Sequence, residues 1–330
     1  MSVDRLASVS MDLDNVWSYL KTHGDPGWQQ RPSYLQTLIP HVLELLSEES
    51  LTITFFVVGV DAAQEEHGPA LRALIQHGHE VGNHSYEHEP WLAQYDHARL
   101  TEEIARAEAA IMNATGRRPV GFRGPGYAWS PDLLSILSER GYLYDASTLP
   151  TYLGPLARLY YFRTAHLSSE QRAERAELFG KFSDGFRSVQ PYYWRLSNGQ
   201  ALLEMPVTTF PGIKVPFHFS YLLYLSQYSE RLALEYLRTA LVACKLSGTE
   251  PSFLLHPLDL IDRTQEPRLA FFPGMEVPAR RKAALLRRVL QMIRDKFAIV
   301  TMSVHAHALA CRTGLRIRRP MAAAAVGSER

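Results

Sequence analysis

The sequence predicts an α/β fold, a distorted (β/α) barrel of about seven or eight strands with an insertion over its mouth. Apolar, β-rich runs alternate with segments of helical periodicity along most of the 330 residues. No G-x-G-x-x-G follows the first strand, which argues against a dinucleotide-binding sheet; Gly124-Pro125-Gly126 lacks the third glycine. Hydrophobic residues make up 46% and charged residues 21%, a globular composition that excludes disordered, collagen-like and coiled-coil chains.

Strands are expected at Leu6–Met11, Thr52–Val58, Glu80–Gly82, Val120–Phe122, Tyr142–Tyr144, Leu202–Met205, Phe253–Leu255 and Ala298–Met302. Apolar residues three and four apart place helices at Tyr34–Ser47, Pro69–His77, Thr101–Ala114, Pro131–Arg140, Glu230–Leu246 and Ala279–Lys296. Ser130-Pro131 supplies a cap and a first-turn proline for one of them. Between Thr148 and Asn198 the repeat breaks for longer than a βα loop allows, so this stretch reads as the insertion. Its start (Leu156, Arg158, Tyr160, Tyr161, Phe162, Arg163) fits a self-packed helix or a peripheral contact with the inner face of a membrane. After Cys311 come Arg312, Arg316, Arg318, Arg319 and an alanine run, which read as a flexible basic tail.

Lys+Arg 35 against Asp+Glu 34 leaves a net charge of +1, so nothing in the overall charge favours nucleic acid. Apolar runs fall short of the roughly 20 residues that cross a bilayer. Asp4, Asp12 and Asp14 interrupt any signal-peptide core, and the expectation is a cytoplasmic protein. Cys244 and Cys311 lack partners at metal-ligand spacing and are expected to be buried thiols.

Chemistry concentrates at predicted strand ends, where barrel sites form. Asp12 and Asp14 are two apart, so both carboxylates point to one face. His84-Ser85-Tyr86-Glu87-His88 follows the third strand and sets two imidazoles one helical turn apart, able to reach one ion. Phe122-Arg123-Gly124-Pro125-Gly126-Tyr127 places an arginine near a carboxylate and aims backbone N–H groups inward, suited to an oxyanion. Leu255-His256-Pro257 ends an apolar strand with a single imidazole. H-E-x-x-H, G-x-S-x-G and Walker A patterns are absent.

Together these segments resemble, in order, the motifs of the polysaccharide deacetylase family, the NodB-homology carbohydrate esterases. Asp12-Leu13-Asp14, His84-Ser85-x-x-His88, Arg123-x-Pro125-x-Tyr127 and Leu255-His256-Pro257 carry the resemblance, which spans roughly residues 6 to 310. Tyr144-Asp145-Ala146-Ser147 and Leu203-Glu204-Met205-Pro206-Val207 are similar to further family segments. The D-x-D form resembles a branch with peptidoglycan-type deacetylases, allantoinase-like amidohydrolases and lipid-linked aminoarabinose deformylases. The family segment that tunes the catalytic acid has no clear counterpart, with Asp145 and Asp259 as alternatives.

The resemblance implies one deacetylase barrel over residues 1–313, with the insertion at 148–198 and the tail at 314–330. It implies a metal-dependent hydrolase that removes an N-acyl group, chiefly N-acetyl, from an amino sugar in a glycan, glycolipid or lipid-linked precursor. The alternatives are a ring-opening amidohydrolase of allantoinase type and an inactive carbohydrate-binding relative. Asp14, His84 and His88 would hold one divalent ion, with zinc expected first and cobalt, nickel, manganese or iron also suited. Asp12 would be the base, His256 the acid and Arg123 the clamp on Asp12. Tyr127, Pro125 and Trp129 would serve substrate or oxyanion, and Tyr86, Trp91 and Glu204 are further substrate candidates. Self-association stays open.

Overall fold

In the computed structural model, residues 5–320 are described apart from Glu177 and Phe179; the remainder of the tail, 321–330, lies outside the described residues. The strands are β1 (Leu6–Asp12), β2 (Thr54–Val57), β3 (Glu80–Asn83), β4 (Gly121–Phe122), β5 (Tyr144–Asp145), β6 (Tyr192–Arg195), β7 (Ala201–Glu204), β8 (Ser252–Leu255), β9 (Ala298–Val300) and β10 (Arg316–Arg318). The helices are α1 (Val16–His23), α2 (Leu35–Glu48), α3 (Gly59–Ala62), α4 (Gly68–Gln76), α5 (His97–Thr115) and α6 (Pro131–Glu139). They continue with α7 (Gly154–Thr164), α8 (Ser169–Glu174), α9 (Phe219–Tyr228), α10 (Glu230–Ser247), α11 (Ala279–Arg294) and α12 (Met302–Ala310).

The strands form one sheet in the order β10-β6-β7-β5-β4-β3-β2-β1-β8, with β9 also on β1. All described pairs are parallel except β6 with β7. The ladder stops short of closure. Irregular chain after β7 spans the gap: the Val207 N–H donates to the Thr148 carbonyl (2.9 Å) and the Thr208 N–H to that of Ser252 (3.0 Å). The distorted barrel is therefore open, its ladder ending at β10 and β8.

Period-two alternation in β1 sorts its side chains. Ala7, Val9 and Met11 pack outward into the main core with α2, α10 and α11 residues such as Leu46, Leu241 and Leu286. Ser8, Ser10 and Asp12 take the other face, where Ser10 and Asp12 meet Arg123 and Ser8 meets His305. The inward face of β1 is thus polar, which places charged groups at its strand end without breaking the outer core.

Four features depart from the sequence reading. The segment Ala298–Met302 is a short strand that gives way to α12, whose Met302 and Ser303 N–H groups donate to Thr54 and Glu80 at the entry ends of β2 and β3. This helix plugs the barrel opposite the site. β6, inside the expected insertion, pairs antiparallel with β7, and Arg316–Arg318, in the expected tail, adds the edge strand beside it. Of the cysteines, Cys244 is buried but Cys311 is exposed. The insertion packs partly on itself through Tyr161, Ala165 and Leu178, while Leu156 and Leu159 stay exposed. Among the described residues no helix is long and apolar enough to cross a membrane.

Glu250 ties the plug to the sheet, accepting from the Leu6 N–H (2.9 Å), His305 (3.1 Å) and Arg312 (2.8 Å). Burial pushes this carboxyl up, but hydrogen bonds from His305, Arg312 and Leu6 outweigh it and hold it down at about 2. A depressed carboxyl stabilises the fold above its unfolded value and loses that contribution as pH falls through the folded one. Denaturant unfolding of the parent should therefore weaken between about pH 4.5 and about pH 2, and Glu250→Gln should be less stable at neutral pH with a flatter profile over that window.

Candidate active site

Four parallel strands deliver the site at their C-terminal ends: β1 with Asp12 and Asp14, β3 with His84 and His88, β4 with Arg123 and β8 with His256. The β1 turn is locked from several sides. Asn15 caps α1 and also donates to Asp61 (2.8 Å) and Ser33 (2.9 Å). Trp17 Nε1 donates to the same Asp61 oxygen (2.9 Å), and the Tyr34 hydroxyl donates to the Asp14 carbonyl.

The histidine segment is a loop rather than the helical turn its spacing suggested. Ser85 and His88 adopt left-handed φ values of 62° and 49°, conformations that persist only where neighbours over-determine them. Those neighbours are present. Asn83 Oδ1 accepts from the Ser85 N–H (2.8 Å), Ser85 Oγ from the His88 N–H (3.2 Å), and Glu103 from the N–H groups of Tyr86 and Glu87 (2.8 and 2.7 Å).

Asp14, His84 and His88 each offer one donor atom, all within 4.8 Å of one another. Asp14 Oδ1 lies 3.2 Å from His84 Nε2 and 2.9 Å from His88 Nε2. His84 Nδ1 is 2.6 Å from the Arg123 carbonyl, so it donates there and turns Nε2 toward Asp14, an orientation typical of metal-ligating imidazoles. Burial raises Asp14, but the charge of His88 and hydrogen bonds from both histidines bring it well below the usual carboxylate range. His84 is disfavoured as a cation by burial, yet Asp12 and Asp14 together raise it. A divalent ion replaces such protons when it binds, so the donor set fits one. Two imidazoles and a carboxylate leave coordination positions for water and substrate.

Asp12 is held next to this set. Arg123 Nη1 donates to Asp12 Oδ1 (2.7 Å) and Ser10 (2.8 Å), and its Nε to the Ala146 carbonyl (3.1 Å). Asp12 Oδ2 faces His84 Nε2 at 4.0 Å. Opposite, His256 Nδ1 lies 3.2 Å from Ser220 Oγ and 3.9 Å from Asp259, which also accepts from Ser220 (2.9 Å) and the His256 N–H (2.7 Å). Burial raises Asp259 despite the His256 charge and these hydrogen bonds. Asp259, not Asp145, is the carboxyl beside the imidazole; Asp145 bonds Ser147 and neighbours Glu204. Both halves line one cavity of about 450 Å³, in the range of small-molecule sites.

Several expected contacts lie elsewhere. The Tyr127 N–H is engaged by the Gly124 carbonyl (3.0 Å) and the Ala128 N–H by that of Pro125 (3.1 Å), so neither serves an oxyanion. Tyr127 does line the cavity, but Pro125 and Trp129 do not. Trp129 stacks on Trp194 (5.1 Å) beneath Arg187. Tyr86 lies under Arg106 (4.0 Å), and Trp91 is buried against Arg175 (4.9 Å). Glu204 is fully buried, accepting from Thr148 (2.6 Å) and Trp194 Nε1 (3.0 Å); burial and the Asp145 charge raise it well above the usual carboxyl range. Its role is internal. Sequence reading missed His218, which lines the cavity beside His256 and is pushed down to about 3 by burial and by the His256 and Arg123 charges. Its place as N-cap of α9, a helix left unassigned, offered the only cue.

The polysaccharide deacetylase family model matches residues 25–144, which include His84, His88 and Arg123. Over those 120 of its 330 residues the chain is similar to the polysaccharide deacetylase family. Similar proteins include the chitooligosaccharide deacetylase of Bradyrhizobium sp. (strain ANU 289), 32% identical over 31% of this chain and 46% of that protein. The peptidoglycan deacetylase of Helicobacter pylori is 27% identical over 49% and 55% respectively. The matched regions thus span about half the length of these curated relatives. A solved structure from Mycobacterium smegmatis described as a polysaccharide deacetylase superposes with a TM-score of 0.61, covering 97% of this chain and 96% of that one at 22% identity, a likeness of fold.

His84→Ala or His88→Ala should remove about one equivalent of bound divalent ion, read by elemental analysis after dialysis. Glu204→Ala should cost about 2 kcal/mol in denaturant unfolding by stranding the Thr148 and Trp194 donors, while ion uptake is retained.

Proposed function

We propose that the protein is a metal-dependent hydrolase that removes an N-acyl group, N-acetyl foremost, from an amino sugar. The observation that carries this is one cavity with a two-histidine, one-carboxylate donor set beside an arginine-held aspartate, and a carboxylate-backed imidazole across from them. The names of the curated relatives, a chitooligosaccharide deacetylase and a peptidoglycan deacetylase, support the amino-sugar class.

Zinc is the ion proposed for Asp14, His84 and His88, since it accepts this mixed nitrogen and oxygen set without a strict geometric demand. When bound, it supplies Lewis acidity to an amide carbonyl and to water. Asp12 acts as the base. Arg123 occupies Oδ1, leaves Oδ2 to take a proton from the attacking water, and keeps the carboxylate from swinging away. His256 is the acid, with Ser220 and Asp259 on its Nδ1 side so that Nε2 delivers a proton to the departing nitrogen. Neutral His218 adds no competing charge beside it.

Release of acetate or formate from a panel of N-acylated amino sugars, with cyclic ureides as the comparison set, tests the reading. Acyl release from the sugars is expected; ureide opening alone would replace it with a ring-opening amidohydrolase. Asp12→Asn should lower kcat by about a thousandfold while ion content holds. His256→Ala should lower it by about a hundredfold and erase one limb of a bell-shaped pH profile, and near-full activity in either variant would remove that residue from its role.

A further inference from the structure

A second convergence of ion-binding side chains lies at the cavity rim. α1 ends at His23, and Gly24 then turns the chain with φ +88°, bringing Asp25 back beneath the imidazole. The insertion comes down onto the same spot. His166, just after α7, donates its N–H to the His23 carbonyl (3.0 Å), while the Tyr161 hydroxyl donates to the Thr22 carbonyl and Arg175 Nη2 to that of Lys21 (3.0 Å). A Cβ on Gly24 would sit 2.2 Å from the His166 carbonyl oxygen, so only glycine permits this approach.

The side chains converge with the backbones. Asp25 Oδ2 lies 2.7 Å from His23 Nδ1 and Oδ1 lies 3.0 Å from His166 Nδ1, and one donor atom from each residue falls within 4.8 Å of the others. His23 is buried and stacked on Phe271 with ring centroids 3.9 Å apart, so it does not swing out of the cluster. His166 is largely exposed, which leaves room for water to complete a coordination sphere. The C-terminal end of α1 adds partial negative charge at the same place. Two imidazole nitrogens and one carboxylate oxygen are a borderline-soft set that suits zinc, cobalt or nickel rather than calcium or magnesium.

We propose that His23, Asp25 and His166 form a second divalent-cation site, separate from Asp14, His84 and His88, that clamps the insertion to the end of α1. His23 also lines the cavity, together with Leu153, Ala157 and Tyr161 from the insertion side. An ion held there joins cavity wall to cover, so its occupancy sets how readily the cover opens. Two of its ligands are local in sequence and the third is supplied by the insertion, so the site exists only when the cover is down.

This proposal does not depend on the hydrolytic reading, and its test needs no substrate. Zinc is titrated into the chelator-stripped full chain by calorimetry, with elemental analysis after desalting. About two zinc ions per chain are expected in the parent, and about one each in His166→Ala and in Asp14→Ala. His166 is exposed, so its variant should keep the parent circular dichroism, which is checked. In the Asp14→Ala protein, zinc at about tenfold above Kd should slow proteolysis within residues 149–180 by about tenfold, because cleavage follows the open population. Adding His166→Ala to that protein should abolish the protection. Equal zinc content in the parent and His166→Ala, or protection that survives His166→Ala, would overturn the second site.

Discussion

A single buried guanidinium organises the candidate-site end of this barrel. Arg123 is fully buried and reaches Asp12 and Ser10 on β1, the Ala146 carbonyl after β5, and the face of Phe56 on β2 at 4.3 Å. Its own carbonyl orients His84. Burying such a charge is unfavourable unless its donors are matched, and removing one partner of a buried pair costs about 3–5 kcal/mol because the other is left uncompensated. The alternation of β1 makes the match feasible by turning serines and aspartate inward while its apolar residues build the outer core. The same contacts that satisfy the charge therefore set the distance between Asp12 and His84.

Around that centre, carboxyl groups divide their labour through environment. Asp14 is anionic because two imidazoles face it, whereas Glu204 is held protonated by burial and by Asp145. The first can bind a cation; the second fixes Thr148, where the insertion begins. Asp259 serves a third purpose, positioned by Ser220 and the His256 N–H to back an imidazole. Similar residue types thus perform ion binding, structural bonding and imidazole support within one shell.

The insertion gives the cavity its cover. The part before β6 that forms this cover is held at the end of α1, whose backbone carbonyls accept from Tyr161, Arg175 and the His166 N–H. Its outer surface keeps Leu156 and Leu159 exposed. A cover fastened at one edge by hydrogen bonds and an ion-binding cluster can open locally without disturbing the sheet, since neither Arg123 nor the main core reaches into it.

By itself the sequence determined the alternating architecture and singled out Asp14, His84 and His88, which the structure brings together. Periodicity in β1 and in the amphipathic helices is local, and the spacings Asp12 to Asp14 and His84 to His88 survive as written because each pair occupies a single strand end or loop. It also exposed Arg123 and His256, since both directly follow apolar strands. What only the tertiary structure decided is which distant groups meet. Trp129, Tyr86, Trp91 and Glu204 carry suitable chemistry but face into packing, and no spacing reveals a side chain's facing across a sheet. The choice of Asp259 over Asp145, the neighbourhood of His218, the pairing of β10 with β6 and the meeting of His23 with His166 depend on contacts between segments far apart in the chain. Such contacts are settled by closing long loops against a shared core, a balance of entropy and burial that a local pattern does not encode.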